Sequence, residues 1–264
     1  MKLFIGFVGS LLIAIVAYRK RSLSASGAVA VVIIGTLIYA LSDIKWYGVL
    51  LAFFISSSLL SHRKKEAKQE VESLFAKTGT RDFMQVFANG GAGLVAILGA
   101  FIAAMEEGWY AFYIGSIAAV TADTWATEIG VLAKGKPRHI FTWRKVDPGT
   151  SGGVSGAGLA ASFAGGTFIG GCACLFSLLA QEGVNVHYVV AGAVGGMIGS
   201  LIDSAVGAAW QRMYRCQICG KETERKLHCG RDTIAVKGYA WCTNDAVNAL
   251  ASIAGGLTAL IITG

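Results

Sequence analysis

The sequence predicts an all-α, polytopic membrane helix bundle of about eight transmembrane helices, folded as a single integral membrane domain over 1–264. Of the 264 residues, 54% are hydrophobic and only 15% charged, and the mean hydropathy is +0.58. That balance suits a chain whose solvent is lipid. Apolar runs long enough to cross a hydrocarbon layer recur at 3–18, 25–41, 46–60, 83–105, 110–133, 152–180, 188–211 and 244–263.

The first run is followed by the basic patch Arg19, Lys20 and Arg21 and lacks a small-residue cleavage site, so it reads as a retained helix and not a removed signal. Residues 25–60 divide into two short spans. The segment 61–82 is rich in helix formers and spaces Val71, Leu74 and Phe75 at helical intervals, which predicts a cytoplasmic amphipathic helix with a solvated charged face. Across the later spans, runs such as Gly192–Gly196 and Gly152–Gly156 belong to a total of 35 glycines, and small residues at helical spacing let helices approach closely. Trp46, Trp109, Trp143 and Trp241 fall near span ends, where tryptophan anchors a helix at the interface.

The net charge of +7 is a topology signal and not a nucleic-acid footprint. With both termini on the outer side, eight spans put every lysine and arginine except Lys2 and Lys45 on the cytoplasmic face. Attraction for nucleotide phosphates is a second use of the same charge. The expected location is the plasma or inner membrane of a prokaryote, with chemistry facing the cytoplasm because the external loops are too short to form a domain.

Ionisable residues inside spans are costly, and each is a functional candidate. Asp123, Glu128 and Asp203 qualify, and Asp245 opens the last span. In the topology above all four gather toward the cytoplasmic side. Asn244 and Asn248 share a helix face with Asp245, and Gln85 and Asn89 pair four apart near the inner end of the fourth span. Asp123 and Glu128 point roughly 140° apart on a regular helix at about 100° per residue, so both can face one centre only across a bend or a wide cavity.

Between spans five and six, Arg144 and Lys145 lead into a glycine-rich stretch containing Gly149, Thr150, Ser151, Gly152, Gly153 and Ser155. Backbone amides at a helix start, with basic side chains, suit a polyphosphate; a segment that merely packs helices reads the same way. Opposing carboxylates suit Mg²⁺, which takes a few carboxylates, phosphate oxygens and water.

Four cysteines gather on or beside the 212–242 loop, where Cys216, Cys219, His228, Cys229 and Cys242 make a candidate zinc staple. In a reducing cytosol a Cys-x-x-Cys pair with a later Cys or His suits tetrahedral Zn²⁺. The spacing leaves His228 and Cys242 both open as the fourth ligand. Cys172 and Cys174 read as small buried hydrophobes.

Ala122–Gly130 (ADTWATEIG), Asp147–Gly156 (DPGTSGGVSG), Ile202–Ser204 (IDS) and Asn244–Asn248 (NDAVN) resemble the transmembrane protein 19 and phytyl-phosphate kinase family over nearly the whole chain. That family is similar to the CTP-dependent phytol and dolichol kinases and, more distantly, to phosphatidate cytidylyltransferase. The resemblance implies a phosphotransferase converting a prenyl monophosphate to its diphosphate with CTP or another nucleoside triphosphate and Mg²⁺. It makes Asp123, Asp203 and Asp245 the metal-organising acids, with Asn89, Asn244 and Asn248 as polar partners and Lys145 with 149–156 on the phosphates. Two rival readings are an ion-coupled secondary transporter, which buried acids and broken helices also suit, and a cytidylyltransferase acting on a phospholipid.

Overall fold

A long apolar segment in lipid satisfies its backbone only by hydrogen-bonding within itself, and in the computed structural model each of the eight predicted runs coincides with a helix. Residues 1–264 are described except positions 78 and 104, which fall in the 61–82 and 83–105 segments and lie outside the described residues. The helices are α1 (Lys2–Arg19), α2 (Ala25–Leu41), α3 (Ile44–His62), α4 (Lys65–Glu72), α5 (Phe83–Ala103), α6 (Glu106–Gly130), α7 (Gly156–Leu179), α8 (His187–Ala209) and α9 (Asn244–Thr263). Six are long and apolar enough to cross a membrane; α2, with 17 residues, is shorter, and α6 carries four acids. The 25–60 stretch breaks at Asp43, whose side chain accepts from the Lys45 amide and starts α3.

The bundle is built around α6, which is buried without interruption from Tyr110 to Ala122. It packs on α3, α5, α7, α8 and α9. Glycine permits the closest of these crossings: a Cβ on Gly115 would lie 2.3 Å from the Gly255 carbonyl oxygen, and one on Gly166 would lie 2.4 Å from that of Gly192. At the end of the bundle where α3 and α6 begin, Lys45 is ion-paired with Glu106 at 2.8 Å and Glu182 at 2.7 Å. Trp46 is not an interfacial anchor. It is 2% exposed and packs against Tyr110 and Tyr113, because α3 lies in the core beside α6.

At the opposite end the connections carry short strands. β1 (Arg138–His139) pairs with β2 (Gly153–Val154) ahead of α7. Between α8 and α9, β3 (Met213–Arg215) pairs with β4 (Glu222–Thr223) and with β7 (Ile234–Lys237), while β5 (Leu227–His228) pairs with β6 (Arg231–Asp232). Only Lys65–Glu72 of the 61–82 segment forms the amphipathic helix. It stops early because the β4 region takes the next carbonyls: Thr223 Oγ1 and the Glu224 amide donate to Leu74, and Arg225 Nε donates to Phe75. Its charged face is not wholly solvated either, since Lys68 is 1% exposed.

Candidate active site

The ends of α5, α6, α8 and α9 nearest the short strands, together with α4 and the loop ahead of α7, line a cavity of about 270 Å³. α6 turns Asp123 and Glu128 into its wall, and α8 turns Asp203. The separation of Asp123 and Glu128 around α6 is met by the breadth of this cavity, which both of them line. The carboxyls of Asp123 and Asp203 adjoin, although they come from different helices. Oδ2 of Asp203 is buried without a hydrogen-bond partner. A buried carboxylate oxygen left free beside a second carboxyl is the donor set a divalent cation uses.

Asn89 from α5 and Asn244 and Asn248 from α9 complete the polar wall. Asp245 does not line the cavity. Its Oδ2 accepts from Lys77 Nζ, which also holds Asp82 at 2.9 Å, and its Oδ1 is buried without a partner. Burial draws the Lys77 ammonium down, but its bonds to Asp245 and Asp82 outweigh that and leave it above its ordinary pKa.

Of the glycine-rich stretch, Gly149, Thr150, Ser151, Gly152, Gly153 and Ser155 all line the cavity. Ser155 caps α7, its hydroxyl accepting from the Gly158 amide at 3.1 Å, so the positive end of that helix meets the cavity. Gly152 has φ +80°, and a Cβ there would lie 2.4 Å from Ala208 Cβ, so only glycine brings this loop against α8. Ser151 donates to Gln211 Oε1 at 2.9 Å, and Gln211 Nε2 donates to Glu224 Oε1 at 2.7 Å. Burial pushes the Glu224 carboxyl above its usual range.

Arg144 and Lys145 lie elsewhere. The turn between β1 and β2, with Trp143 at φ +57°, leaves both exposed and outside the cavity wall. The positive charge comes instead from Lys68, Lys77 and Arg81. Lys68 pairs with Glu128, whose other oxygen accepts from Ser61 Oγ, and also donates to the Leu60 carbonyl at 2.9 Å. Arg81 is 6% exposed, donates to Ser58 Oγ at 3.0 Å, lies over the rings of Phe53 and Phe54, and has no ion pair among the described residues. Burial lowers its guanidinium only to about 10, so the charge persists at neutral pH.

Sequence reasoning assigned Lys68, Lys77 and Arg81 only to the topology count. A signal for Lys68 was present, because it precedes Val71 and Phe75 by three and seven residues and so shares their apolar face. Nothing local marks Arg81. A smaller apolar cavity of about 50 Å³, walled by Ile13, Ile34, Leu50, Phe54 and Val86, shares Arg81 and Asn89 with the polar one.

The cysteine-rich loop brings Cys216, Cys219, His228 and Cys229 together and leaves Cys242 out, buried beside the start of α9.

A family model described as integral membrane protein DUF92 matches residues 8–256. Protein PGR of Arabidopsis thaliana is 32% identical, over 94% of this chain and 91% of its own length. An uncharacterized membrane protein of Methanocaldococcus jannaschii is 31% identical over 99% of this chain and 94% of its own. Protein VTE6, chloroplastic, of Arabidopsis thaliana is 25% identical over 91% of this chain and 65% of its own. No solved structure matches. The likeness runs through the whole bundle, as the motif resemblance led one to expect, and the chain belongs to the DUF92 family of integral membrane proteins.

Proposed function

We propose that this membrane protein is a phosphotransferase that converts a prenyl monophosphate of the phytyl or geranylgeranyl type to its diphosphate, with CTP or another nucleoside triphosphate as donor. The observation that carries this reading is the shared wall. One cavity is polar, glycine-cradled and acidic, the next is apolar, and a buried arginine with no ion pair among the described residues lines both. A lipid phosphate is the ligand whose two halves need two such environments and whose charged junction needs that arginine.

Phosphoryl transfer asks a protein for positioning and charge stabilisation. The Arg81 guanidinium binds the lipid phosphate, and the isoprenoid chain lies along the apolar side. Amides and hydroxyls of 149–155 at the start of α7 receive the triphosphate, with Lys68 and Lys77 adding positive charge to the same cavity. A lipid phosphate oxygen, already anionic, attacks the terminal phosphorus. A new P–O bond forms as the bond to the β-phosphate oxygen breaks, and the nucleoside diphosphate leaves with the electron pair. No strong general base is required.

The donor set fits Mg²⁺: Asp123 and Asp203 would hold it, on the strength of the free Asp203 Oδ2. When bound, it supplies charge neutralisation at the phosphate oxygens. Asp245 then acts at one remove, by holding Lys77. The end of the bundle bearing the basic loops is read as cytoplasmic, where soluble nucleotide arrives.

The test is a substrate panel. Detergent-purified protein is incubated with phytyl, geranylgeranyl and farnesyl monophosphates and with each nucleoside triphosphate in turn, and the products are identified by mass. Lipid diphosphate with nucleoside diphosphate is the expected pair. Pyrophosphate with a nucleotide-linked lipid marks a cytidylyltransferase, and no product from any pairing leaves the carrier reading.

A further inference from the structure

Outside the cavity, the largest gathering of metal-ligating groups among the described residues is on the loop between α8 and α9. The candidate ligand atoms of Cys216, Cys219, His228 and Cys229 all lie within 4.8 Å of one another. His228 Nδ1 is 3.6 Å from Cys219 Sγ and 3.2 Å from Cys229 Sγ. Zinc at about 2.3 Å from sulfur and about 2.0 Å from nitrogen separates tetrahedral ligands by roughly 3.5–3.8 Å, close to this spacing. The chain reaches the cluster by two tight turns. In the first, the Ile218 amide donates to Cys216 Sγ at 3.4 Å and Gly220 follows at φ +72°. In the second, Cys229 at φ +52° and Gly230 at φ +75° bring thiol and imidazole to the same point.

Backbone hydrogen bonds such as Gly220 N–H to the Cys216 carbonyl at 3.0 Å close these turns, but few apolar contacts support them. The strands there are two to four residues long, and Ile218, Leu227 and Ile234 are exposed where a self-supporting domain would bury them. Without an apolar core, a small lobe is stabilised by cross-linking, and all six cysteines are free thiols. Cys242 is not needed as a ligand, being fully buried beside α9, where its carbonyl accepts from the Arg212 amide at 2.8 Å.

The lobe touches the cavity through the residues between its two turns. Thr223 Oγ1 donates to the Leu74 carbonyl at 2.6 Å, Arg225 Nε to that of Phe75 at 2.6 Å, and the Ala76 amide to Glu224 Oε2 at 3.0 Å. Glu224 continues through Gln211 to Ser151 of the glycine-rich loop. We propose that Cys216, Cys219, His228 and Cys229 bind one structural zinc ion, and that this ion fixes Glu224 and the 72–76 backbone at the edge of the cavity. The inference stands on the lobe's own geometry and is independent of the reaction assigned to the cavity.

Full-length protein purified in detergent without chelator is analysed for metal. One zinc per chain is expected, and Co²⁺ in its place gives the strong visible absorption of a tetrahedral site with thiolate-to-metal charge transfer. Cys219→Ser and Cys229→Ser lose the ion, whereas Cys242→Ser keeps one per chain. Stripping zinc from the wild type avoids any folding defect in the variants: amides of 73–77 and 223–226 then exchange several-fold faster, while those of α6 and α8 do not change. Protein that holds no zinc and takes up no cobalt overturns the site. Loss of metal in Cys242→Ser overturns the ligand set, and unchanged exchange at 73–77 after stripping overturns the positioning role.

Discussion

Arg81 is a buried guanidinium with donors to spare; Glu128 stabilises its charge from a distance but is itself held by Lys68, so an incoming anion would find the Arg81 fork free to bind it. A lysine keeps the charge but loses the planar fork that meets two phosphate oxygens at once. Arg81→Lys is therefore expected to lower kcat/KM for the lipid monophosphate by about 10- to 100-fold, the value of one charge-assisted hydrogen bond at about 1.5–3 kcal/mol, with the KM for nucleotide little changed. Steady-state kinetics with each substrate varied decides it; an equal rise in both KM values would put Arg81 on neither phosphate in particular. The Lys68–Glu128 pair is a buried ion pair at the same site. Removing one partner strands the other, so Lys68→Met or Glu128→Gln alone is expected to cost about 3–5 kcal/mol, and Lys68→Met with Glu128→Leu less than either single change. Thermal melting in detergent measures all three, and simply additive losses would mean that the two charges do not interact.

The glycine-rich loop is held by a steric fact as much as by hydrogen bonds. Gly152→Ala forces a side chain at φ +80° into Ala208 on α8, with an expected loss of about 1–3 kcal/mol. The loop carries the amides proposed to bind phosphate, so nucleotide affinity should fall along with the melting temperature; a variant with unaltered melting would show that the loop relaxes away from α8. Elements of this kind were readable in part. The apolar runs that become α6, α8 and α9, with the polar positions Asp123, Asp203 and Asn248 on them, follow from local pattern, because in lipid each apolar run must close its own hydrogen bonds; the start of α7 at Gly156, with Ser155 as its cap, does not. The early end of α4 and the outward turn of Arg144 and Lys145 were not readable, since both are decided by partners distant in sequence: Thr223 and Arg225 for α4, and the β1–β2 pairing for the turn. The surroundings of Asp245 are hidden for the same reason. Its acid character is plain, but Lys77, the residue it holds, lies 168 positions away along the chain.

At the scale of the molecule, a membrane bundle with the basic loops at one end predicts which surface would meet nucleotide. Single cysteines placed at Lys2 and Gly264 in a chain that keeps its own cysteines, with labelled positions mapped by peptide mass, should react with an impermeant reagent from outside the cell. One at Lys136 should react only after the membrane is opened, and the reverse pattern would turn the cavity outward. The bundle exists to bring acids from α6 and α8 together beneath a glycine-lined loop, next to an apolar recess. The most direct measurement is the transfer of labelled terminal phosphate from nucleoside triphosphate to a prenyl monophosphate by folded wild-type protein and by Asp123→Asn and Asp203→Asn. Labelled lipid diphosphate from the wild type, with none above background from either variant, is the result expected. Equal labelling by all three proteins would contradict it, because the chemistry would then occur somewhere other than where these two carboxyls meet.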